Sequence, residues 1–157
     1  SFSRIGNSNE KTLTNLRDGM ETVLTLYQNK INQGTELICQ FDEIPALLCW
    51  PDELVQVWVN LIHNALQAMN YQGRLTISIQ KIENAAVVSV SDTGAGIPEA
   101  IRSKIFDVFF TTKPVGEGSG LGLDIVKRII NKHRGTISFE SETGKGTTFV
   151  VSLPYEV

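Results

Sequence analysis

Between Leu13 and Ile31 the apolar residues Leu13, Leu16, Met20, Val23, Leu24, Tyr27 and Ile31 recur at three- and four-residue intervals, the spacing of one helix face. Asn7 followed by Glu10 has the capping-box pattern, so a helix is predicted from about residue 10 to Asn32, closed by Gly34. Glu36 to Phe41 and Ala46 to Trp50 read as short strands on either side of Pro45. Pro51-Asp52-Glu53 then opens a second helix, proline suiting its first turn and the acids its positive dipole end. That helix runs to about Asn70, where Asn-Tyr-Gln-Gly73 breaks it. From Arg74 to Ile82 the period changes to two, with Leu75, Ile77 and Ile79 against Thr76, Ser78 and Gln80. This is a half-buried strand, and Ala85 to Ser91 completes a hairpin with it. Pro98 to Ile105 reads as a short helix. Phe106 to Ser119 has no clean period and reads as a long irregular loop, in compact domains usually a functional lid or disordered. Gly120 to His133 is a third helix with Leu121, Ile125, Val126, Ile129 and Ile130 on its apolar face. Thr136 to Glu142 and Thr147 to Leu153 form a last hairpin about Gly144-Lys145-Gly146. The pattern predicts an α+β two-layer sandwich: a mixed, mostly antiparallel sheet covered on one face by three helices.

Composition narrows the class. A chain of 157 residues, 41% hydrophobic and 20% charged, has room for one core. Its net charge of −3 argues against nucleic acid as a partner. No apolar run approaches the ~20 residues of a membrane span, and no signal-peptide pattern opens the chain. Cys39 and Cys49 are expected to be buried free thiols in a reducing compartment. Opening on Ser1-Phe2-Ser3 without methionine, the chain reads as a piece of something longer.

Four constellations carry candidate chemistry. On the second helix Gln56, Asn60, Asn64 and Gln67 lie on one stripe, while Leu54, Trp58, Leu61, Ala65 and Met69 can face the sheet. Asparagine is a poor helix former, and an uncharged amide stripe suits a site where carbonyl oxygens meet a metal or phosphate better than a solvent face. Asp92 ends a strand on the side of Ala86, Val88 and Val90, so its carboxylate falls on the core side, where it needs donors. An amino-bearing ring such as adenine can supply one; opening an Asx turn at Asp92-Thr-Gly is the alternative role. Phe106-Asp-Val-Phe-Phe-Thr-Thr-Lys113 sets three aromatics and a cation before Gly116-Glu-Gly-Ser-Gly-Leu-Gly122. The aromatics fit core anchoring, and the glycine run entering a helix makes an anion site, phosphate above all. Thr147 shares a strand face with Phe149, Val151 and Leu153, so its hydroxyl can serve Asp92 or a bound ring, or cap the turn.

Other phosphate signatures fail. The P-loop pattern lacks its earlier glycine at Gly144-Lys145-Gly146, and Leu121 and Leu123 stand where a dinucleotide fingerprint needs its third glycine. No Asp-Phe-Gly occurs, which excludes the protein-kinase set.

The four constellations, in this order, resemble the ATP-binding catalytic domain of sensor histidine kinases, within the family shared with gyrase, Hsp90 and MutL. Asn60-Leu-Ile-His-Asn64-Ala is similar to its N box and Asp92-Thr-Gly-Ala-Gly96 to its first glycine box. Phe106 to Phe110 is similar to its F box, Gly116 to Gly122 to its second glycine box, and Gly146-Thr147 to its last glycine motif. The wording Phe-Phe-Thr-Thr-Lys113 and Asn64-Ala-Leu-Gln-Ala68 is nearest to kinases like the nitrogen-regulation sensor. The resemblance spans Glu10 to Leu153 and implies a Bergerat-type fold that binds Mg-ATP. In it Asp92 would accept from the adenine amino group, and Ile97 would pack on the ring near Gly94 and Gly96. Asn64 would ligate Mg²⁺ through its carbonyl oxygen, and Asn60 belongs to the same ATP-binding set, with Thr147. Backbone N–H groups of Gly118, Gly120, Leu121 and Gly122 would meet the phosphates, with Lys113 on the γ-phosphate.

Two departures matter. The superfamily's ATPases have a glutamate where Asn60 stands, and asparagine cannot be a general base, so a kinase is favoured over an ATPase. Val108 replaces a frequent proline of the F box. His63, followed by Asn64, and His133, at a helix end that favours a cation, do not match a phosphoacceptor. The resemblance therefore implies transfer to a histidine on a separate upstream dimerisation domain, with residues 1–8 as linker and 9–157 as catalytic domain. It also implies a downstream response regulator, a cytoplasmic location (as the cytosolic part of a membrane-bound sensor, for instance), a monomeric fragment and a homodimeric full-length protein. A superfamily ATPase, an anti-sigma-type serine kinase and a degenerate interaction module are the alternatives.

Overall fold

The computed structural model describes residues 10–108, 110 and 122–155. Strand β1 (Thr12–Thr14) precedes helix α1 (Leu16–Leu26) and the short helix α2 (Gln28–Ile31). Strands β2 (Thr35–Phe41) and β3 (Leu47–Cys49) lead into the long helix α3 (Pro51–Ala68). Strands β4 (Gly73–Ile82) and β5 (Ala85–Asp92) follow, then a 3₁₀ helix (Glu99–Lys104), helix α4 (Leu123–Lys132), and strands β6 (Thr136–Glu142) and β7 (Gly146–Pro154).

The first element corrects the predicted one. Asn15, not Asn7, caps the helix: its side chain accepts from the Arg17 N–H at 3.0 Å. Asn7 lies outside the described residues. The segment before Asn15 is extended because its threonines are β-branched and because β3 offers it a partner, Leu13 opposite Leu48. A break at Tyr27 divides the remainder into α1 and α2. The second helix starts at Pro51 as predicted and stops at Ala68, where Asn70 and Tyr71 turn to positive φ (52° and 62°).

Strand order in the main sheet is β2-β4-β5-β7-β6. β2 and β4 run parallel, and the remaining neighbours are antiparallel. Period two decides the faces: Leu75, Ile77, Ile79, Ala86, Val88 and Val90 are buried beneath the helices. The opposite face is rich in hydroxyls, Ser78 bonding Ser89 and Ser91 bonding Thr148 across the strands. Helix α3 is the centre of the core, burying Leu54, Val57, Trp58, Leu61, Ile62, Ala65 and Leu66. Each leucine, valine and isoleucine among them contributes about 1.5–3 kcal/mol by leaving water. Cys49 is buried as expected, but Cys39 is exposed, because β2 is the sheet's edge strand and its neighbour Leu37 is uncovered too. Among the described residues no helix is long and apolar enough to cross a membrane.

Candidate functional site

Asp92 is the last residue of β5, and cross-strand register sets it between Leu75 on β4 and Thr147 on β7. Only 7% of it is exposed. Burial pushes its carboxyl up from the ordinary carboxylate range, while the backbone N–H groups of Gly94 and Thr147 pull it back down. The Gly94 N–H donates to Oδ1 at 2.8 Å, so the Asx turn and the inward carboxylate, both open in the sequence, coexist in one residue.

The chain after Asp92 is held against two other elements. A Cβ at Gly94 would lie 2.5 Å from the Ala68 carbonyl oxygen, so glycine is required where the turn crosses the end of α3. The Ala95 N–H donates to that same oxygen at 3.2 Å, and the Ala95 carbonyl accepts from the Gly144 N–H at 2.7 Å. The Ile97 N–H donates to Ser141 Oγ at 2.7 Å, and Arg102 Nε donates to the Ile97 carbonyl at 2.9 Å. Ser141 Oγ is 2.8 Å from Thr147 Oγ1.

Beside these contacts lies a half-open cavity of about 270 Å³. Asn64 and Gln67 of α3 line it together with Asp92, Gly96, Ile97 and Thr147, and Leu123 at the start of α4 and Phe149 complete it. The structure thus gathers in one place residues from three of the four constellations: the amide stripe, Asp92-Thr-Gly-Ala-Gly96 and Gly146-Thr147. Phe106 packs on Phe139 and Phe149 at ring-centroid distances of 6.0 and 6.5 Å, the anchoring predicted for the aromatics. Lys113, Gly118, Gly120 and Leu121 lie outside the described residues, as does most of the loop from Phe106 to Ser119.

Asn60 is placed differently from Asn64. It does not line the cavity; its Nδ2 donates to the Gly122 carbonyl at 2.9 Å, and its Oδ1 accepts from Gln56 Nε2 at 2.6 Å. Gly122 has φ +64°, and a Cβ there would meet Asn60 Nδ2 at 2.6 Å. Asn60 therefore ties the first turn of α4 to α3.

Two residues near the site differ from expectation, Ser141 in its contacts and His133 in its charge state. Ser141 follows Ile137 and Phe139 at period two on β6, and that alternation was the available signal. His133 caps the C-terminal end of α4 as expected, but at 6% exposure it is not the cation such a position favours. Its Nε2 accepts from the Trp50 N–H at 3.1 Å, so Nδ1 carries the proton given to the Ile129 carbonyl at 2.9 Å. Burial lowers its pKa and keeps it neutral. His63 Nδ1 lies 3.3 Å from Tyr27 Oη.

A family model described as histidine kinase-, DNA gyrase B-, and HSP90-like ATPase matches residues 50–157. The catalytic domain of the histidine kinase ThkA superimposes with a TM-score of 0.84 at 32% identity, covering 93% of this chain and 96% of that one. The chain belongs to this ATPase family, as a catalytic domain of the histidine kinase type. Sporulation kinase C of Bacillus subtilis (strain 168) is 44% identical over 88% of the chain, which spans 33% of that kinase. Sensory histidine kinase/phosphatase NtrB of Azospirillum brasilense is 33% identical over 92% of the chain, which spans 40% of it. ThkA has also been solved in complex with the response regulator protein TrrA (TM-score 0.79, 30% identity, 92% of this chain and 42% of that one).

Proposed function

We propose that the chain binds Mg-ATP in this cavity and presents the γ-phosphoryl group to a histidine on a separate dimerisation domain, as the catalytic part of a two-component sensor kinase. The observation that carries the reading is Asp92, a buried carboxylate that lines an otherwise largely apolar cavity. A carboxylate there suits a ligand bearing an amino group, and the adenine of ATP is such a ligand. Ile97 would cover the ring, with Gly94 and Gly96 letting the backbone come close and Thr147 meeting the base edge beside Asp92.

Among the described residues no three His, Cys, Asp or Glu side chains group to hold a metal. Among the donors that line the cavity, the Asn64 amide fits Mg²⁺ arriving with the nucleotide, since that ion keeps waters and takes most other ligands from phosphate. Asn64 would hold it, and the bound ion would supply charge neutralisation at the phosphates. Backbone N–H groups of Gly118, Gly120, Leu121 and Gly122, with Lys113, would bind the phosphates, and Asn60 would keep Gly122 in place.

Transfer breaks the bond between the γ-phosphorus and the bridging oxygen, leaves ADP, and forms a phosphorus–nitrogen bond on the acceptor imidazole. His133 cannot be that acceptor, because it is buried with both nitrogens engaged. The acceptor belongs on an upstream dimerisation helix joined through residues 1–8, with a response regulator as the next recipient. On this reading the fragment alone is monomeric and the full-length protein a cytoplasmic homodimer, and this domain touches neither nucleic acid nor lipid.

Titration with ATP in the presence and absence of Mg²⁺ tests binding, and incubation with labelled ATP tests the division of labour. The expected outcome is Mg-dependent binding, slow phosphate release and no phosphohistidine on the chain. Stable phosphohistidine on it, or steady phosphate release at an ATPase rate, would overturn the reading.

A further inference from the structure

Ile97 lines the cavity and is held there through its backbone by two side chains from different elements. Its N–H donates to Ser141 Oγ on β6 at 2.7 Å, and its carbonyl accepts from Arg102 Nε of the 3₁₀ helix at 2.9 Å. A peptide group is planar, so only two soft dihedrals separate the peptide before a residue from the one after it. Holding both planes fixes those dihedrals, and with them the direction in which the Ile97 side chain leaves the backbone. The 3₁₀ helix starts its own hydrogen bonding one residue later. There the Ile101 N–H donates to the carbonyl of Pro98, whose backbone is non-helical (φ −54°, ψ 138°). The Ile97 carbonyl is thus met by a side chain, that of the half-buried Arg102, which does not itself line the cavity.

We propose that Arg102 is a positioning residue for the nucleotide base: by donating from Nε to the Ile97 carbonyl, it holds the Ile97 side chain where it covers the ring. The inference rests on the ATP reading of the cavity. An Ile97 already ordered before the ligand arrives spares the complex the cost of ordering it, so losing the bond weakens binding. The role needs a donor at a set reach, not a positive charge, because the bond comes from Nε, the nitrogen nearest the backbone. Glutamine carries its amide nitrogen at the same number of bonds from Cα and is neutral. Methionine has a similar length with neither donor nor charge.

The test is calorimetric titration of the 157-residue chain with Mg-ATP and Mg-ADP, in the wild type, Arg102→Gln and Arg102→Met, with melting curves on the same samples. Both variants lose the charge, and only the first keeps the donor. Arg102→Gln retains the wild-type affinity. Arg102→Met weakens both nucleotides by the same factor, about fivefold, the scale of one net hydrogen bond. In an Ile97→Ala background the difference between the two Arg102 variants disappears, because the side chain they position is gone. Should Arg102→Met not fold, Arg102→Leu makes the same comparison. An Arg102→Met variant that melts lower but binds as tightly as Arg102→Gln would show a purely structural role and overturn the inference. So would a difference that persists in Ile97→Ala, or equal weakening in both variants, which would assign the effect to the charge. A wild-type chain that binds neither nucleotide overturns the ATP reading itself; one that binds them, with Arg102 variants that bind alike, overturns the role of Arg102 alone.

Discussion

Asp92 and His133 are buried almost equally, at 7% and 6% exposure, and burial pushes each toward its neutral form. Their surroundings separate them. His133 sits at the joint between α3 and α4, both nitrogens bonded to backbone and its ring edge-on to Trp50 at 5.1 Å. Asp92 is steadied by two backbone N–H groups and lines a cavity shared with Asn64, Ile97 and Thr147. Burial of an ionisable group thus does not by itself mark a site. The difference lies in whether the group's hydrogen-bonding capacity is closed within the fold or faces a space a ligand can enter.

Replacing Asp92 by Asn should break this comparison most sharply. The amide oxygen can still accept from Gly94, but the charge facing the cavity is lost, so ATP affinity falls by about ten- to a hundredfold, the range for bonds to charged groups. Stability at neutral pH should hold or rise, because a buried charge has been removed. Calorimetric titration with parallel melting curves measures both, and an Asn variant that bound ATP normally would remove Asp92 from the site.

His133→Ala should do the reverse. It leaves the Trp50 N–H without its acceptor and costs about 1–3 kcal/mol of stability, read from denaturant midpoints, while nucleotide affinity in the folded protein is kept. The two groups also differ in pH sign. The pKa of native His133 lies below the ordinary 6.5, so its stability contribution is full above 6.5 and is lost as pH falls toward the native value. That of native Asp92 lies above the ordinary 3.8, so its contribution is present below 3.8 and is lost as pH rises through the native value. Melting temperature followed from pH 3 to 8 should lose the first slope in His133→Ala and the second in Asp92→Asn, each variant leaving the other slope intact.

The smallest effect is expected at the rim of the His133 joint. Lys132 pairs with Glu53 at 2.7 Å and lies over the Trp50 ring at 4.3 Å, but its side chain is 44% exposed. Lys132→Ala should cost under about 1 kcal/mol, less in high salt, by the same denaturant assay.

Much of this was legible in the chain. Alternation along β4, β5 and β7 assigned Asp92 and Thr147 to the inner face before any partner was known, and the three- and four-residue spacing of α3 divided its apolar side from its amide stripe. The strand at Thr12–Thr14 was not legible, because Leu13 and Leu16 also fit a helical period and only pairing with β3 makes the segment extended. Nor was the division of labour between Asn60 and Asn64, which occupy equivalent positions one helical turn apart. One lines the cavity, and the other bonds a carbonyl 62 residues away.

The sequence by itself determined which residues α3, β4, β5 and β7 turn inward, since that depends only on the period of consecutive side chains, and the order of its glycine and asparagine motifs marked the family. Tertiary structure alone decided the partners. It set Asp92 opposite Thr147, brought Ser141 between Thr147 and Ile97, and closed His133 onto a backbone N–H 83 residues distant. Those pairings come from sheet register and helix packing, which join segments far apart in the chain, and no local pattern encodes the far end of a hydrogen bond.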